Sequence, residues 1–443
     1  MNTSIIQGNL TKAKLAGNTN LSGPKSVGMR TRSRSTVAIL AAVFSAFILT
    51  TLATPAFAGP GSLIPVAVAD FNQDGVSDLL AEKVDATNTG LLWVIPIDSA
   101  TGLRLVGASG FPLQLQNGYE FLAVGNFNGN LDGQSQIAAR KTSGTPANEI
   151  GVVRLWDLSA DGTGLTTAPE GVLAFAPDPI YSLIGVGDLD DNGVDDFVFE
   201  QANCDAPAVC PNPGLMRAYL METSMTLLAI AHPLINAGFP VPHETFGVAD
   251  ANGDGFADIV LARRDADPTT RPNANGNLRT FLMQGDGLGA LTVTGQAFTF
   301  DLPGLEYNFL GFGRLDQNQR ADLLFEKNSG TNTGLIQTRL MQVLSLSGIL
   351  SNELSLPFYI TNLGTTNSYI GNGKFDSDVN TDLVVINNST GQVRAVLLDL
   401  DPSNTGNASL ADRAADLTTG SAFPVVLDGV EWANRATGAV TFP

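Results

Sequence analysis

One nine-residue pattern recurs six times along this 443-residue chain, and its spacing limits the fold more than any other feature. Three copies are intact: Asp70-Phe-Asn72-Gln-Asp74-Gly75-Val76-Ser77-Asp78, Asp188-Leu-Asp190-Asp191-Asn192-Gly193-Val194-Asp195-Asp196 and Asp250-Ala-Asn252-Gly-Asp254-Gly255-Phe256-Ala257-Asp258. Three are altered. One opens on Asn126 and Asn128 and carries two extra residues before Asp132 and Gly133. One opens on Arg314 and runs through Asp316 and Asn318 to Asp322, and one opens on Lys374 and runs through Asp376 and Asp378 to Asp382; neither has the glycine. First positions therefore fall at 70, 126, 188, 250, 314 and 374, a repeat of about sixty residues.

The intact copies place oxygen-bearing side chains at positions 1, 3, 5 and 9 and glycine at position 6. Ca²⁺ is a hard cation that takes 6–8 oxygen ligands, and a short loop supplies them from alternating side chains plus the backbone carbonyl of position 7. The glycine permits the positive φ of a sharp turn. A hairpin turn alone would need only its two central residues. The expected ligand sets are Asp70, Asn72, Asp74, Val76 and Asp78; Asp188, Asp190, Asn192, Val194 and Asp196; and Asp250, Asn252, Asp254, Phe256 and Asp258, for about three calcium ions. Where position 1 is cationic, Arg314 is expected to lie across Asp316 and Asp322, and Lys374 across Asp376, Asp378 and Asp382, in place of a metal.

An apolar run precedes each loop, as in Val66–Ala69 and Leu183–Val186, and another follows it, as in Phe197–Phe199 and Leu383–Ile386. Near-continuous apolar runs of this length read as strands buried on both faces. A glycine turn leads into a third, more alternating strand, and a fourth, less regular one follows, such as Phe111–Leu115. No stretch has sustained helical periodicity. Four-stranded sheets repeated every sixty residues predict an all-β propeller, because one such sheet cannot bury both faces alone. Six motifs predict six blades, or seven if residues 401–443 form their own sheet. Phe423–Trp432 parallels Phe111–Phe121, so pairing of the N- and C-terminal segments is expected to close the ring.

These repeats resemble the FG-GAP/VCBS family, which includes the calcium-binding blades of integrin α-subunits. The resemblance covers almost all of residues 62–400. It implies a propeller with Ca²⁺ in loops at the periphery of one face and a role in adhesion or in binding glycans or proteins.

Residues 1–58 hold six of the 24 Lys/Arg and none of the 43 Asp/Glu. Val37–Leu49 is apolar apart from Ser45, and Ala56-Phe57-Ala58 is a small-x-small cleavage site. This is the pattern of a secretory signal peptide, with translation starting at Met1 or Met29. The apolar run falls short of the ~20 residues that span a bilayer. Residues 59–443 would form a single domain, exported to the periplasm or the medium, with no transmembrane segment. That part keeps 18 Lys/Arg against 43 Asp/Glu, a net charge of −25, which excludes nucleic acid as a partner. Cys204 and Cys210 are expected to form a disulfide in an oxidising compartment.

The two histidines, His232 and His243, stand in no catalytic motif, and neither His-Glu-x-x-His nor Gly-x-Ser-x-Gly occurs. The chain is therefore expected to be a binding module for a glycan or protein rather than an enzyme. The alternatives are a lectin-like propeller using Trp93, Trp156 or Trp432, and a secreted polysaccharide hydrolase or lyase. Arg154, Arg217, Arg279 and Arg394 share one position of the third strand, which Trp93 and Gln337 fill in the other repeats. Cross-strand pairing, such as Glu200 with Arg217, is the expected reason; a surface for an acidic glycan is the other.

Overall fold

The computed structural model describes most of residues 62–398. Residues 1–61 and 399–443 fall outside the description, as do internal stretches including 85–90, 202–214, 236–243, 264–276, 300–305, 316–319, 342–357 and 376–380. The described residues all belong to the compact unit Thr54–Pro443.

They form a six-bladed β-propeller. Blade one is β1 (Ser62–Ala69), β2 (Asp78–Val84), β3 (Leu91–Ile95) and, after the small pair β4 (Ile97–Asp98) and β5 (Leu103–Arg104), β6 (Phe111–Gln114). Blade two is β7 (Tyr119–Gly125), β8 (Gln136–Lys141), β9 (Val153–Trp156) and β10 (Val172–Phe175). Blade three is β11 (Tyr181–Gly187), β12 (Asp196–Gln201), β13 (Met216–Glu222) and β14 (Thr226–Ile235). Blade four is β15 (Glu244–Ala249), β16 (Asp258–Arg263), β17 (Asn277–Gly285) and β18 (Leu291–Thr299). Blade five is β19 (Tyr307–Gly313), β20 (Asp322–Lys327), β21 (Leu335–Arg339) and β22 (Phe358–Asn362). Blade six is β23 (Asn367–Gly373), β24 (Asp382–Asn387) and β25 (Val393–Val396). Within every blade the strands are antiparallel and follow chain order.

The ring closes on itself. First strands touch those of both neighbouring blades, in the cycle β1, β7, β11, β15, β19, β23 and back to β1. Six apolar clusters fill the six gaps between blades; the last joins Val68, Leu79 and Ile95 of blade one to Phe375, Val384 and Ile386 of blade six. Strands of this kind have no polar face to offer, so each sheet is covered by its neighbours. Blade one takes all four strands from one contiguous stretch, with Phe111–Gln114 as its outer strand, and so needs none from the far end of the chain. Phe423–Trp432, expected to close it, lies outside the described residues, as do Cys204 and Cys210.

Candidate functional site: the loop ring and the axial cavity

Each nine-residue loop joins a blade's first strand to its second, and all six meet around one mouth of the axis. Position 2 is an apolar plug. Phe71, Phe127, Leu189, Ala251, Leu315 and Phe375 are all buried. Position 9, the first residue of the second strand, clamps the loop. Asp78 accepts from the amides of Phe71 (3.0 Å) and Ile97 (2.7 Å). Asp196 accepts from Leu189 (2.9 Å) and Met221 (2.7 Å), and Asp258 from Ala251 (3.2 Å) and Met283 (2.9 Å). The clamp persists where position 1 is cationic: Asp322 binds the Leu315 and Met341 amides, and Asp382 those of Phe375 and Leu398. In blade two Gln136 Oε1 substitutes, accepting from Phe127 at 2.6 Å. Position 9 is thus first a buried anchor between the loop and the third strand.

A second set of bonds stitches blade to blade. The position-8 amide of each loop donates to the position-1 carbonyl of the preceding one: Ser135 to Asp70, Asp195 to Asn126, Ala257 to Asp188, Ala321 to Asp250, Thr381 to Arg314 and Ser77 to Lys374, all at 2.6–2.8 Å. The last of these closes the circle. Position 8 adds a side-chain bond in three places, where Asp195, Thr381 and Ser77 accept from the amides of Asn126 (2.7 Å), Arg314 (2.8 Å) and Lys374 (2.9 Å).

The three intact loops share one backbone. Position 6 has positive φ in each (81°, 80° and 95° at Gly75, Gly193 and Gly255), as the sequence led us to expect. Position 4 does too, at Gln73 (63°) and Asp191 (58°), although neither is glycine. The position-1 carboxylate accepts from the position-6 amide throughout: Asp70 from Gly75 at 2.9 Å, Asp188 from Gly193 at 2.8 Å, Asp250 from Gly255 at 3.1 Å.

Only the loop at 188 gathers three carboxylates. Oxygens of Asp188, Asp190 and Asp196 lie within 4.8 Å of one another, and no other such group of three occurs among the described residues. All three loops carry three acids at the expected ligand positions, but in different places. Asp74 and Asp254, at position 5, are exposed. Asp190, at position 3, is 2 % exposed, and neither of its carboxylate oxygens meets a hydrogen-bond donor in good geometry among the described residues. The cover comes from the β17–β18 hairpin of the next blade. A Cβ built on Gly285 would stand 2.1 Å from that of Asp190, so only glycine allows this approach. Gly162 sits similarly over Asn72 and Phe71. Gly285→Ala is therefore expected to displace Asp190 and weaken metal binding at loop 188 by about tenfold or more, leaving the loops at 70 and 250 unchanged; terbium luminescence titration would show it.

Burial shifts these groups strongly. Asp190 is pushed up to about 6, first by desolvation and then by the charges of Asp188 and Asp286. Asp195 rises to about 7 and Asp258 to about 8, again mainly through burial. Asp78 and Asp196 are also raised well above the usual range. A buried carboxylate with no hydrogen-bond donor is costly as an anion and needs a proton or a cation. The Asp188–Asp190–Asp196 triad can hold a metal ion. The donor set is all oxygen, without His or Cys, which suits a hard divalent cation. Asn192 Nδ2 donates to the Met221 carbonyl at 2.8 Å and so fixes which side-chain atom is its oxygen.

Inside the loop ring lies a cavity of about 540 Å³, lined by all six blades. Its wall includes Asp70, Asp188, Asp195 and Asp250 on one arc and Arg314 and Lys374 on another. The two cations are exposed. Asp322 and Asp382, which they were expected to neutralise, are taken up by backbone amides; Asp316, Asp376 and Asp378 lie outside the described residues.

The third-strand arginines occupy equivalent positions, as expected: Arg154, Arg217, Arg279 and Arg394 face Ala139, Phe199, Leu261 and Val385, while Trp93 and Gln337 face Ala81 and Phe325. Their partners differ from expectation. Phe199, not Glu200, stands opposite Arg217. The Arg217 guanidinium lies 4.3 Å from the Tyr181 ring centre, and Arg154 donates to the Tyr119 hydroxyl at 2.8 Å. At Arg217 an aromatic from the first strand thus lies under the guanidinium in a cation–π contact. Arg154, Arg217, Arg279, Trp93 and Gln337 do not line the axial cavity. Trp156 is fully buried against Tyr119 and offers no open platform for a sugar, while Trp93 is partly buried against the core between blades one and six.

No family model matches the chain, and no curated protein does. Among solved structures it is similar to a prolyl endopeptidase (TM-score 0.35, 14 % identity, covering 86 % of this chain and 47 % of the other). It is also similar to a rhamnogalacturonan lyase (TM-score 0.25, 11 % identity, 75 % and 67 % covered) and to a GH43_1 enzyme from Xanthomonas citri complexed with xylotriose (TM-score 0.25, 16 % identity, 66 % and 91 % covered). The chain spans about half the length of the first. These neighbours correct the expectation that the chain is not an enzyme. That expectation rested on missing His and Ser motifs, whereas these solved structures are of enzymes. At such identities the likeness gives this chain no particular reaction. No helix among the described residues is long and apolar enough to cross a membrane.

Proposed function

We propose that this chain is an exported, calcium-stabilised β-propeller of the FG-GAP/VCBS type, which presents the mouth of its axis to a glycan or protein ligand. The observation that carries the calcium reading is Asp190. Its two buried, unpartnered oxygens lie beside Asp188 and Asp196, in a loop whose amides already fix the other acceptors. Calcium bound there supplies the positive charge that the buried carboxylates lack. Asp188, Asp190, Asn192, Asp196 and the Val194 carbonyl would hold it. The loops at 70 and 250 share its backbone and would hold two further ions more weakly, because their position-5 acids are exposed.

The ion's role in this reading is to stabilise the rim that displays the ligand surface. A site with Kd near 10 μM in about 1 mM calcium contributes about 2.7 kcal/mol. Urea unfolding of the mature protein in 1 mM calcium and in chelator tests this. Calcium should raise the free energy of unfolding by at least that amount, and magnesium at the same concentration should do much less. Equal stability in calcium and chelator would refute the reading.

A further inference from the structure

Position 1 of the loop ring reads Asp70, Asn126, Asp188, Asp250, Arg314 and Lys374 in blade order. The three aspartates fold back onto amides of their own loops. The two cations do not. Both are exposed on the cavity wall, and neither side chain forms an ion pair or a hydrogen bond among the described residues. They stand on adjacent blades, joined by the Thr381-to-Arg314 bond of the ring. In a chain with 43 Asp/Glu and 24 Lys/Arg, position 1 of the ring thus turns from acidic or neutral to cationic on two adjacent blades.

The hydroxyls beside them have matching chemistry. Thr381 Oγ1 accepts from the Arg314 amide and Ser77 Oγ from the Lys374 amide. Each hydroxyl is fixed by that bond and keeps its own hydrogen to donate, with no acceptor among the described residues. Thr381 and Ser77 also line the cavity. One arc of the wall therefore offers a guanidinium, an ammonium and two hydroxyl donors. A guanidinium fork matches a carboxylate's two oxygens, and an ammonium adds charge without demanding geometry. The acids on the rest of the wall, Asp70, Asp188, Asp195 and Asp250, repel a compact, multiply charged anion. A volume of about 540 Å³ is in the range of small-molecule sites.

We propose that Arg314, Thr381, Lys374 and Ser77 form an oxyanion subsite on the axial cavity, which takes the carboxylate of a small polar ligand. The subsite goes beyond the calcium reading and does not depend on it, since none of the four residues is a proposed metal ligand. Two sources share this chemistry, a uronic acid and an amino acid.

Titration calorimetry of the mature protein with galacturonate, glutamate, galactose and sulfate, each in calcium and in chelator, tests it. A carboxylate should bind and neutral galactose should not; whether galacturonate or glutamate binds identifies the source. Arg314→Gln and Lys374→Gln should each weaken that binding about tenfold or more, and Arg314→Lys should fall between. Calcium stoichiometry should be unchanged in all three variants, which separates failure of this proposal from failure of the calcium reading. The proposal is overturned if neither carboxylate binds, if sulfate binds more tightly than either, or if binding survives both glutamine substitutions. It is equally overturned if Lys374→Gln lowers the melting temperature but leaves affinity intact, because Lys374 would then be neutralising its own loop. Arg314→Lys keeps the charge and serves where a glutamine variant does not fold.

Discussion

Asp190→Asn is expected to stabilise the metal-free protein at pH 7.5 and to destabilise the calcium-loaded protein. The sign follows from its folded-state pKa of about 6, raised above the ordinary 3.8 by burial and by the neighbouring acids. For a group raised in this way, the stability it contributes is fully present below the unfolded value and is lost as pH rises through the folded one. A rise of that size corresponds to at most about 3 kcal/mol lost between pH 4 and pH 7 in the metal-free state, and solvent screening of the site lowers it. Asp195 and Asp258, raised to about 7 and about 8, act in the same direction. The stripped wild type should therefore be more stable at pH 5 than at pH 7.5, and the Asn variant less pH-dependent. Calcium reverses the order, because the ion needs the anion that asparagine lacks. Urea unfolding at both pH values, with and without calcium, measures all four states. A variant equally unstable in chelator and in calcium would mean that Asp190 is simply a packing residue.

Asp322→Ala should behave differently. Asp322 is buried in a loop whose position 1 is arginine, and its oxygens hold the Leu315 and Met341 amides at 2.9 and 2.7 Å. Alanine leaves both donors buried without these acceptors, at a cost of about 1–3 kcal/mol each. The loss should be the same in calcium and in chelator. Asp322→Asn, which keeps one acceptor oxygen, should recover part of it. If calcium protects the wild type but not Asp322→Ala, Asp322 belongs to a metal site and the clamp is a secondary role.

Much of this architecture was legible because the repeat carries its own register. The position-1 spacing gave the blade count, and the apolar runs flanking each loop became the first two strands, buried as expected. The position-9 aspartate was harder to read, since a carboxylate is both a calcium ligand and an amide acceptor. The distinguishing signal was present: Asp322 and Asp382 persist in loops whose first position is cationic, where a metal set is broken but a clamp is still required. The burial of Asp190 was not legible. It depends on a hairpin about a hundred residues later and on Gly285 at its corner, a contact that exists only once blades three and four are neighbours. Arg217 shows the same limit at closer range. Its place on the strand was readable, but the direction of its side chain toward Tyr181 follows from register and twist. The axial cavity belongs to no single repeat, so no local pattern could announce the meeting of Arg314, Lys374 and Ser77 on its wall.

On the proposed reading, the buried Asp190 of the loop at 188 is a calcium ligand. Calcium titration calorimetry on the stripped mature protein, run beside Asp190→Asn, addresses it most directly. We expect one tight site and two weaker ones in the wild type, with only the tight site lost in the variant. No binding by the folded wild type, or a tight site unaffected by Asp190→Asn, would contradict it.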